Sequence, residues 1–318
     1  MNSIFKQREL GFRLGTGAVA FCLVLIIAAI GYELVRQSQL ALAKFGFGFW
    51  INDIWDPVSG EFGARPFIWG TLYSSVLALL LAGPIALGIA IFLSELCPAW
   101  LRTPLTFLTE LLAAIPSIVY GLWGIFVLVP IVRSLESALP SSLKVLPFFA
   151  GPPVGVGMLT AVLILAIMVI PFTSSVAREV LRAVPMAQRE AAYALGATKW
   201  EAIQAALFYA RTGIVGAVML GFGRALGETM AVTMVIGNNP QISLSLLAPQ
   251  YTMAAVLANE FTEAADELYL DALIEVGLVL FIITLFVNAG SRLLIWNMNR
   301  PATVRKPVPA AAAVGASA

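Results

Sequence analysis

The chain has 318 residues, of which 60% are hydrophobic and only 12% are charged, and its formal net charge is +1. Soluble domains carry about 25% charged residues, so the composition predicts an integral membrane protein, and the near-neutral charge gives no indication of nucleic-acid binding. The sequence lacks histidine, the commonest proton carrier and metal ligand, and Cys22 and Cys97 fit no metal-binding spacing, so we expect no metal site.

Six stretches of the sequence are apolar and long enough to cross a bilayer as helices, which takes ~20 residues each. The alternating pattern of a membrane β-barrel is absent, so the sequence predicts an all-α integral membrane protein with six transmembrane helices. The first span exceeds the length of a signal-peptide core, so we expect it to be retained. The predicted spans cover about 14–35, 67–93, 105–132, 154–176, 213–236 and 272–295.

Lysine and arginine are unevenly distributed between the segments that connect these spans. With the N-terminus in the cytoplasm, 13 of them fall in cytoplasmic segments, five in outer segments and one, Arg224, inside a span. Because cytoplasmic segments are enriched in basic residues, both termini are predicted to lie inside. The chain then consists of a cytoplasmic tail over 1–13, a membrane domain over 14–300 and a disordered cytoplasmic tail over 301–318.

Two of the predicted outer loops have unusual compositions. The first, 36–66, is rich in aromatic residues, which are typical of the membrane interface and also suit a docking surface for a partner protein. The last, 237–271, has no basic residue and five acidic ones, which are either simply solvated or face a basic partner. The composition leaves both pairs of alternatives open.

A polar segment that favours helix formation lies between the fourth and fifth predicted spans, in a loop over about 185–210. Pro185 can open a helix at its first turn, and Gly196 is suited to end it. Thr198 and Glu201 match the capping box that starts a second helix. The sequence therefore predicts two helices joined at Gly196 and lying along the cytoplasmic membrane face, although composition alone would favour an interfacial segment that merely joins two spans.

Two charged residues, Arg224 and Glu228, interrupt the fifth predicted span. A charge in the membrane centre costs at least ~2.5–3.5 kcal/mol. On one helix, the four-residue spacing puts both side chains on the same face, where they can pair. Either the pair is a structural clip between helices, or Arg224 lines a transport route and offers its donor fork to an oxyanion, while Glu228 holds and partly neutralises it.

Other polar residues in the predicted spans are weaker candidates for lining the same route. Each of them alone is more often an interhelical hydrogen-bonding group than a substrate ligand. The ones nearest to the charged pair or to a mid-span proline are Ser117, Tyr120, Thr229 and Thr233.

The loop between the fourth and fifth spans also resembles a known motif. Glu190, Ala191 and Ala192, followed by Gly196, are similar to the coupling loop of ABC-importer permeases. Further segments resemble the PstC permeases of the bacterial high-affinity phosphate importer, over about 14–300. These segments are PFIWGTL at 66–72, IPSIVYGLWG at 115–124, IPFT at 170–173, GRALGETMA at 223–231 and LANEF at 257–261.

The resemblance implies the fold and the assembly of a type I ABC importer in the bacterial inner membrane. This chain would be a permease subunit that carries inorganic phosphate by alternating access. Its partners would be a second, PstA-like permease, two copies of an ATP-binding subunit and a periplasmic phosphate-binding protein. The sequence has no phosphate-binding loop of the Walker type, so we expect ATP and Mg to bind to the partner subunit and this chain to hold no cofactor and to be no enzyme.

The resemblance also assigns roles to residues of this chain. Arg224 and Glu228 would act in transport. Coupling to the ATP-binding subunit would involve Glu190, Ala191, Ala192 and Gly196, with the capping pair Thr198 and Glu201 beside them.

Two alternatives to phosphate import remain at this stage. One is an ABC permease for another oxyanion, such as sulfate or molybdate. The other, less favoured, is a secondary transporter or channel without an ATP-binding partner, a class that usually shows inverted repeats. No clear repeat is present in this sequence.

Overall fold

A computed structural model describes the backbone of residues 2–140 and 142–298, and their side chains from Gly11 onward. Twelve α-helices are present in these ranges, together with short 3₁₀ and π turns and two isolated β-bridges. The helices are α1 (Asn2–Gln37), α2 (Gln39–Phe45), α3 (Arg65–Ile91), α4 (Ala99–Ala114), α5 (Ser117–Trp123), α6 (Val129–Ala138), α7 (Met158–Arg182), α8 (Met186–Ala194), α9 (Lys199–Leu226), α10 (Met230–Val235), α11 (Met253–Glu260) and α12 (Glu267–Met298).

Six helical segments of the described chain are long and apolar enough to cross a membrane, which confirms the predicted all-α class and number of spans. The first helix begins at Asn2, within the predicted N-terminal tail. The tail predicted over 301–318 lies outside the described residues. The six spans are Gly11–Gln37, Arg65–Leu96, Ser117–Ala138, Met158–Arg182, Lys199–Leu226 and Glu267–Met298.

The third span differs from its predicted bounds of 105–132. The apolar stretch is broken at Ile115, which is extended with ψ 130° because the residue before a proline is pushed out of the helical region. Pro116 then precedes a new helix, α5, which continues through a π turn into α6. The helix α4 is therefore a separate element, and the span begins at Ser117.

The fifth span also differs from its prediction, which placed it at about 213–236. Helix α9 starts at Lys199, eleven residues before the end of the predicted loop, and ends at Leu226. Residues Gly227 to Thr229 separate α9 from the short helix α10. Two glycines close to the end of α9, Gly223 and Gly227, weaken the helix locally, so the continuous apolar stretch contains two helices.

Helix α7 lies at the centre of the bundle and is the most buried of the six spans. It packs against α3 and α9. Small residues on α9 allow the close approach, because a Cβ atom at Gly221 would overlap the hydroxyl of Thr173, and one at Gly213 would overlap Val180. The cytoplasmic and central parts of α9 are thus held directly against α7.

The outer loops form a small layer around a cluster of aromatic rings. Phe49, Phe62 and Phe67 are buried, and Trp55 contacts both Phe62 and Phe67 edge to face. Phe49, Trp55 and Phe62 of the first outer loop therefore form a core with Phe67 of α3, and these side chains are not available as a membrane belt or a docking surface. An exposed exception is Phe47, which is 77% accessible.

Two carboxylates of the acidic outer loop stabilise this layer. Glu260 accepts hydrogen bonds from the indole of Trp55 at 2.8 Å and from the hydroxyl of Tyr269 at 2.7 Å. Asp271 accepts one from the backbone N–H of Leu40 at 3.0 Å. At these two positions the acidic residues bind other parts of the same chain.

Candidate functional site

The predicted two-helix loop forms as α8, a turn at Gly196 and the start of α9. Gly196 has a φ of 84°, which favours glycine, and so it ends α8. The capping box is present: the backbone N–H of Thr198 donates to the Glu201 carboxylate at 2.7 Å, and the N–H of Glu201 donates to the Thr198 hydroxyl at 3.4 Å. This confirms the predicted helix, turn and helix.

We expected the second helix to lie along the membrane face, and this prediction was wrong. The second helix is the beginning of α9, which continues without a break into the fifth span as far as Leu226. Helix α8 is therefore joined through the turn at Gly196 to a helix that is long and apolar enough to cross the membrane.

The predicted coupling residues lie on an open surface. Glu190, Ala191, Gly196, Thr198 and Glu201 are exposed, whereas Ala192 is half-buried. Large apolar side chains are exposed beside them, and large exposed apolar patches on a protein surface are typical of interaction sites. We call this region the coupling surface; its exposed apolar members are Met186, Tyr193, Leu195 and Trp200.

Helix α8 is held to the membrane domain by Arg189, a residue that the sequence analysis did not single out. Its guanidinium binds both oxygens of Glu95, at 2.6 and 3.3 Å, and both side chains are largely buried. It also donates to the backbone carbonyls of Val184 at 2.9 Å and Leu181 at 3.1 Å. The two charged partners are 94 residues apart, so no local pattern indicates this contact.

A second arginine joins α7 to α4 nearby. Arg178 is buried, and its guanidinium donates to the carboxylates of Glu110 at 3.0 Å and Glu179 at 2.8 Å, and to the hydroxyl of Thr106. Arg178 is one of the 13 basic residues in the predicted cytoplasmic segments, and no sequence pattern indicates this contact. Its contact fixes α4, the helix that precedes the Pro116 break, against the cytoplasmic end of α7.

Arg224 lies in the last turn of α9 and is half-buried. Its guanidinium carbon is 5.3 Å from the ring centre of Phe172 on α7. Its Nε atom is buried and has no hydrogen-bond acceptor among the described residues. A helix C-terminus carries a partial negative charge, which stabilises a cation in this position.

The sequence left open whether Arg224 and Glu228 pair, and no ion pair joins them in the part of the chain that the structure describes. The helix ends at Leu226, so the two residues do not share the one-turn spacing of a continuous helix. A carboxylate oxygen of Glu228 instead accepts a hydrogen bond from the backbone N–H of Ala231 at 3.3 Å, in the first turn of α10.

The weaker candidates lie on two neighbouring broken spans. Helix α5 packs on α10, with Gly121 directly against Met234 and Ala231. The structure thus brings the α5 segment that starts at Ser117 close to the α10 segment that starts after Thr229.

Most of these hydroxyl groups are engaged with their own part of the chain. Tyr120 donates to the carbonyl of Leu112 at 2.9 Å, across the break at Pro116. Thr233 donates to the carbonyl of Thr229 at 2.7 Å, and Thr229 donates to that of Gly227 at 3.3 Å. They stabilise the two breaks.

Non-helical backbone at membrane depth is tolerated only where protein buries it or where it lines a water-filled cavity. Transporters use such broken helices to bind ions and substrates. The break at Gly227–Thr229, with Arg224 on one side and α5 on the other, is therefore the candidate translocation site.

Comparisons with known proteins identify the family and the fold of this chain. Residues 85–297 match the family model described as "Binding-protein-dependent transport system inner membrane component". The chain is 45% identical to the phosphate transport system permease protein PstC of Mesorhizobium japonicum, over 93% of this chain and 92% of that protein. It is 48% identical to the PstC protein of Pasteurella multocida, over 92% of this chain and 93% of that protein.

A solved structure shares the fold. An inward-facing structure of the MetNI methionine ABC transporter superposes with a TM-score of 0.56 at 16% identity, over 74% of this chain and 95% of that one. The six spans and the family model describe a multi-pass protein of the inner membrane that works with other ABC transporter components. The chain belongs to the PstC family of permease proteins, within the inner-membrane components of binding-protein-dependent transport systems.

Proposed function

We propose that this chain carries inorganic phosphate across the inner membrane by alternating access, as one permease of an ATP-driven importer. The observation that supports this most directly is Arg224, a half-buried guanidinium that has no carboxylate partner among the described residues and lies at a helix break inside the membrane domain. The relatives named above are phosphate transport permeases. Membership of their family argues against the rival class of secondary transporters and channels.

The chemistry of Arg224 suits a transported oxyanion. A guanidinium presents a planar donor fork that matches the oxygens of phosphate, and its charge does not depend on pH in the physiological range. Its Nε atom lacks an acceptor in the described chain, so donor capacity remains for a ligand. The negative end of α9 and the nearby Glu228 weaken the attraction for an anion, which allows release, and transport requires binding that is reversible.

The proposed partners follow from the exposed surfaces of this chain. The apolar part of α1 has no buried residue, so it offers a large apolar surface within the membrane to a second, PstA-like permease. The coupling surface around Glu190–Gly196 would dock on a pair of ATP-binding subunits that hold ATP and Mg. A periplasmic phosphate-binding protein would deliver substrate to the outer layer.

The proposed cycle is a two-state equilibrium between outward-open and inward-open forms. ATP binding closes the partner subunits, and the coupling surface transmits this movement to the spans. ATP then biases an equilibrium at a distant site, as in any allosteric coupling. The contact with the ATP-binding subunit would involve Glu190, Ala191, Ala192, Gly196, Thr198 and Glu201. The route of phosphate would be formed by Arg224 and Glu228, with Ser117, Tyr120, Thr229 and Thr233 nearby.

The experiment that tests the substrate is uptake by the complete complex reconstituted in vesicles, with labelled phosphate, the binding protein and ATP. We expect uptake that requires both ATP and the binding protein and that is not reduced by excess sulfate or molybdate. Inhibition of labelled phosphate uptake by either anion, or uptake without ATP, would contradict the proposed function.

A further inference from the structure

Helix α3 ends in a π turn over Phe92–Leu96. The backbone N–H of Cys97 donates to the carbonyl of Phe92 at 2.7 Å, which is the five-residue spacing of a π turn. Such a turn adds a residue to the helix and changes the direction of the side chains within it, and π turns occur frequently at functional sites. Glu95 lies in this turn, and its side chain is 12% exposed.

Arg189 connects this turn to two other elements. Its guanidinium binds both carboxylate oxygens of Glu95 and also donates to the backbone carbonyls of Leu181 and Val184, at and just after the end of α7. The last carbonyls of a helix have no partner within it, so an arginine there satisfies them. One side chain on α8 therefore contacts the ends of both α3 and α7.

The two sets of contacts have separable consequences. The carbonyls of Leu181 and Val184 hold α8 beneath α7, to which it is also joined through the chain. Among the described residues, the carboxylate of Glu95 is bound by Arg189 alone. Removal of the Glu95 carboxylate thus breaks the link between α3 and α8, whereas the hydrogen bonds from Arg189 to the carbonyls of Leu181 and Val184 remain.

This pair differs from the other ion pairs of the described chain. The side chains of Arg189 and Glu95 are 14% and 12% exposed, whereas every other pair has at least one partner that is 44% exposed or more. Exposed pairs contribute little, because water and salt screen them. A shielded pair with two parallel hydrogen bonds holds its two elements in one geometry.

Helix α3 is well placed to pass on a movement. It packs along α7 and also against α9, the helix that carries Arg224 in its last turn. A displacement of the cytoplasmic end of α3 therefore reaches both helices that meet beside the candidate translocation site.

We propose that the Arg189–Glu95 pair is the link through which movement of α8 is transmitted to α3. Arg189 and Glu95 are positioning residues that couple ATP hydrolysis to transport without contacting the substrate or the nucleotide. This inference rests on the proposed function, since it requires that α8 receives the movement of an ATP-binding subunit.

The test is Glu95→Ala in the complete reconstituted complex, with Ser94→Ala as the matched control. Ser94 lies in the same π turn, and among the described residues its hydroxyl donates only to the carbonyl of Ile91 in the preceding turn. The measured quantities are the phosphate transported per ATP hydrolysed and the amount of ATP-binding subunit that co-purifies. We expect the ratio to fall about five-fold or more for Glu95→Ala, with unchanged co-purification, and to stay at the wild-type value for Ser94→Ala.

Two further variants distinguish a contact that transmits movement from one that is needed only for folding or assembly. Glu95→Gln keeps the shape of the side chain, so it assembles even where Glu95→Ala does not, and its transport per ATP should also fall. Combining Glu95→Ala with Arg189→Gln should lower the ratio no further than Arg189→Gln alone, because both changes remove the same contact.

Three results would overturn the proposal. The first is an unchanged ratio of transport to hydrolysis in both Glu95 variants. The second is a parallel loss of transport, hydrolysis and co-purified ATP-binding subunit in Glu95→Gln, which is the behaviour of a contact needed only for assembly. The third is a wild-type complex that takes up no phosphate with ATP, and this alone would remove the proposed function together with the link.

Discussion

Arg224 and Glu228 are separated by the end of a helix: Arg224 lies in the last turn of α9, and Glu228 accepts the backbone N–H of Ala231 in the first turn of α10. No ion pair joins them among the described residues. The positive group is therefore free to bind an anion, whereas the negative group stabilises the start of the next helix. A rearrangement that brings them together would cancel part of the positive charge and favour release of the anion.

Glu228→Gln should slow phosphate uptake by the reconstituted complex without loss of assembly. A glutamine oxygen can still accept the N–H of Ala231, so α10 keeps its first turn, and only the charge is lost. Glu228→Ala removes the hydrogen-bond acceptor as well and should also lower the free energy of unfolding by about 0.5–2 kcal/mol, as does the loss of a helix cap. Wild-type uptake by Glu228→Gln would show that its charge has no role in transport.

Thr198→Ala should loosen the start of α9. The change removes the hydroxyl that accepts the Glu201 N–H and donates to its carboxylate, and loss of a cap of this kind costs about 0.5–2 kcal/mol. Hydrogen exchange of the amides at Glu201 and Ala202 measures the effect directly. We expect faster exchange in Thr198→Ala and near wild-type exchange in Thr198→Ser, which retains the hydroxyl. Equal exchange in the wild type and both variants would contradict a stabilising role of the capping box.

Gly70→Ala should destabilise the junction between α3 and the segment that precedes α11. A Cβ atom at Gly70 would overlap the backbone carbonyl of Tyr251, which no side-chain rotation relieves. Next to it, the hydroxyl of Thr71 accepts the N–H of Met253 at 2.9 Å, so the two segments are fixed at this distance. Overpacking of this kind costs about 1–3 kcal/mol.

The matched control for this change is Gly88→Ala on the same helix. Gly88 is followed by Ile89 and not by a proline, no atom lies within 4 Å of a Cβ built there, and alanine is favoured over glycine in a helix by about 1 kcal/mol. In thermal unfolding of the purified complex, we expect a lower midpoint for Gly70→Ala and an unchanged or higher one for Gly88→Ala. The reverse order would be incompatible with the packing at Tyr251.

Local sequence patterns predicted the local structure well. The turn at Gly196 and the capping box of Thr198 and Glu201 depend on residues within a few positions of one another, and both are present in the structure. The number of spans also follows from apolar length alone. Each of these features is set by backbone chemistry or by bilayer thickness, and neither requires knowledge of the tertiary fold.

Features that depend on distant contacts could not be predicted in this way. The breaks at Pro116 and Gly227 lie inside continuous apolar stretches, so hydropathy placed the third and fifth spans incorrectly. The Arg189–Glu95 pair joins residues 94 positions apart. Phe49 and Phe62 of the first outer loop are buried because α11, α12 and that loop pack together, which composition does not reveal.

The most direct test of the account is phosphate uptake by the reconstituted complex with Arg224→Gln, compared with Arg211→Gln. Both arginines lie on α9 and stack over a phenylalanine ring, but Arg211 is exposed near the cytoplasmic end, over Phe208 at 4.3 Å. Loss of one charge-assisted hydrogen bond of ~1.5–3 kcal/mol predicts uptake lower by about ten-fold or more for Arg224→Gln. Arg211→Gln should transport like the wild type. Wild-type uptake by Arg224→Gln, in a complex that assembles and hydrolyses ATP normally, would contradict the proposed site.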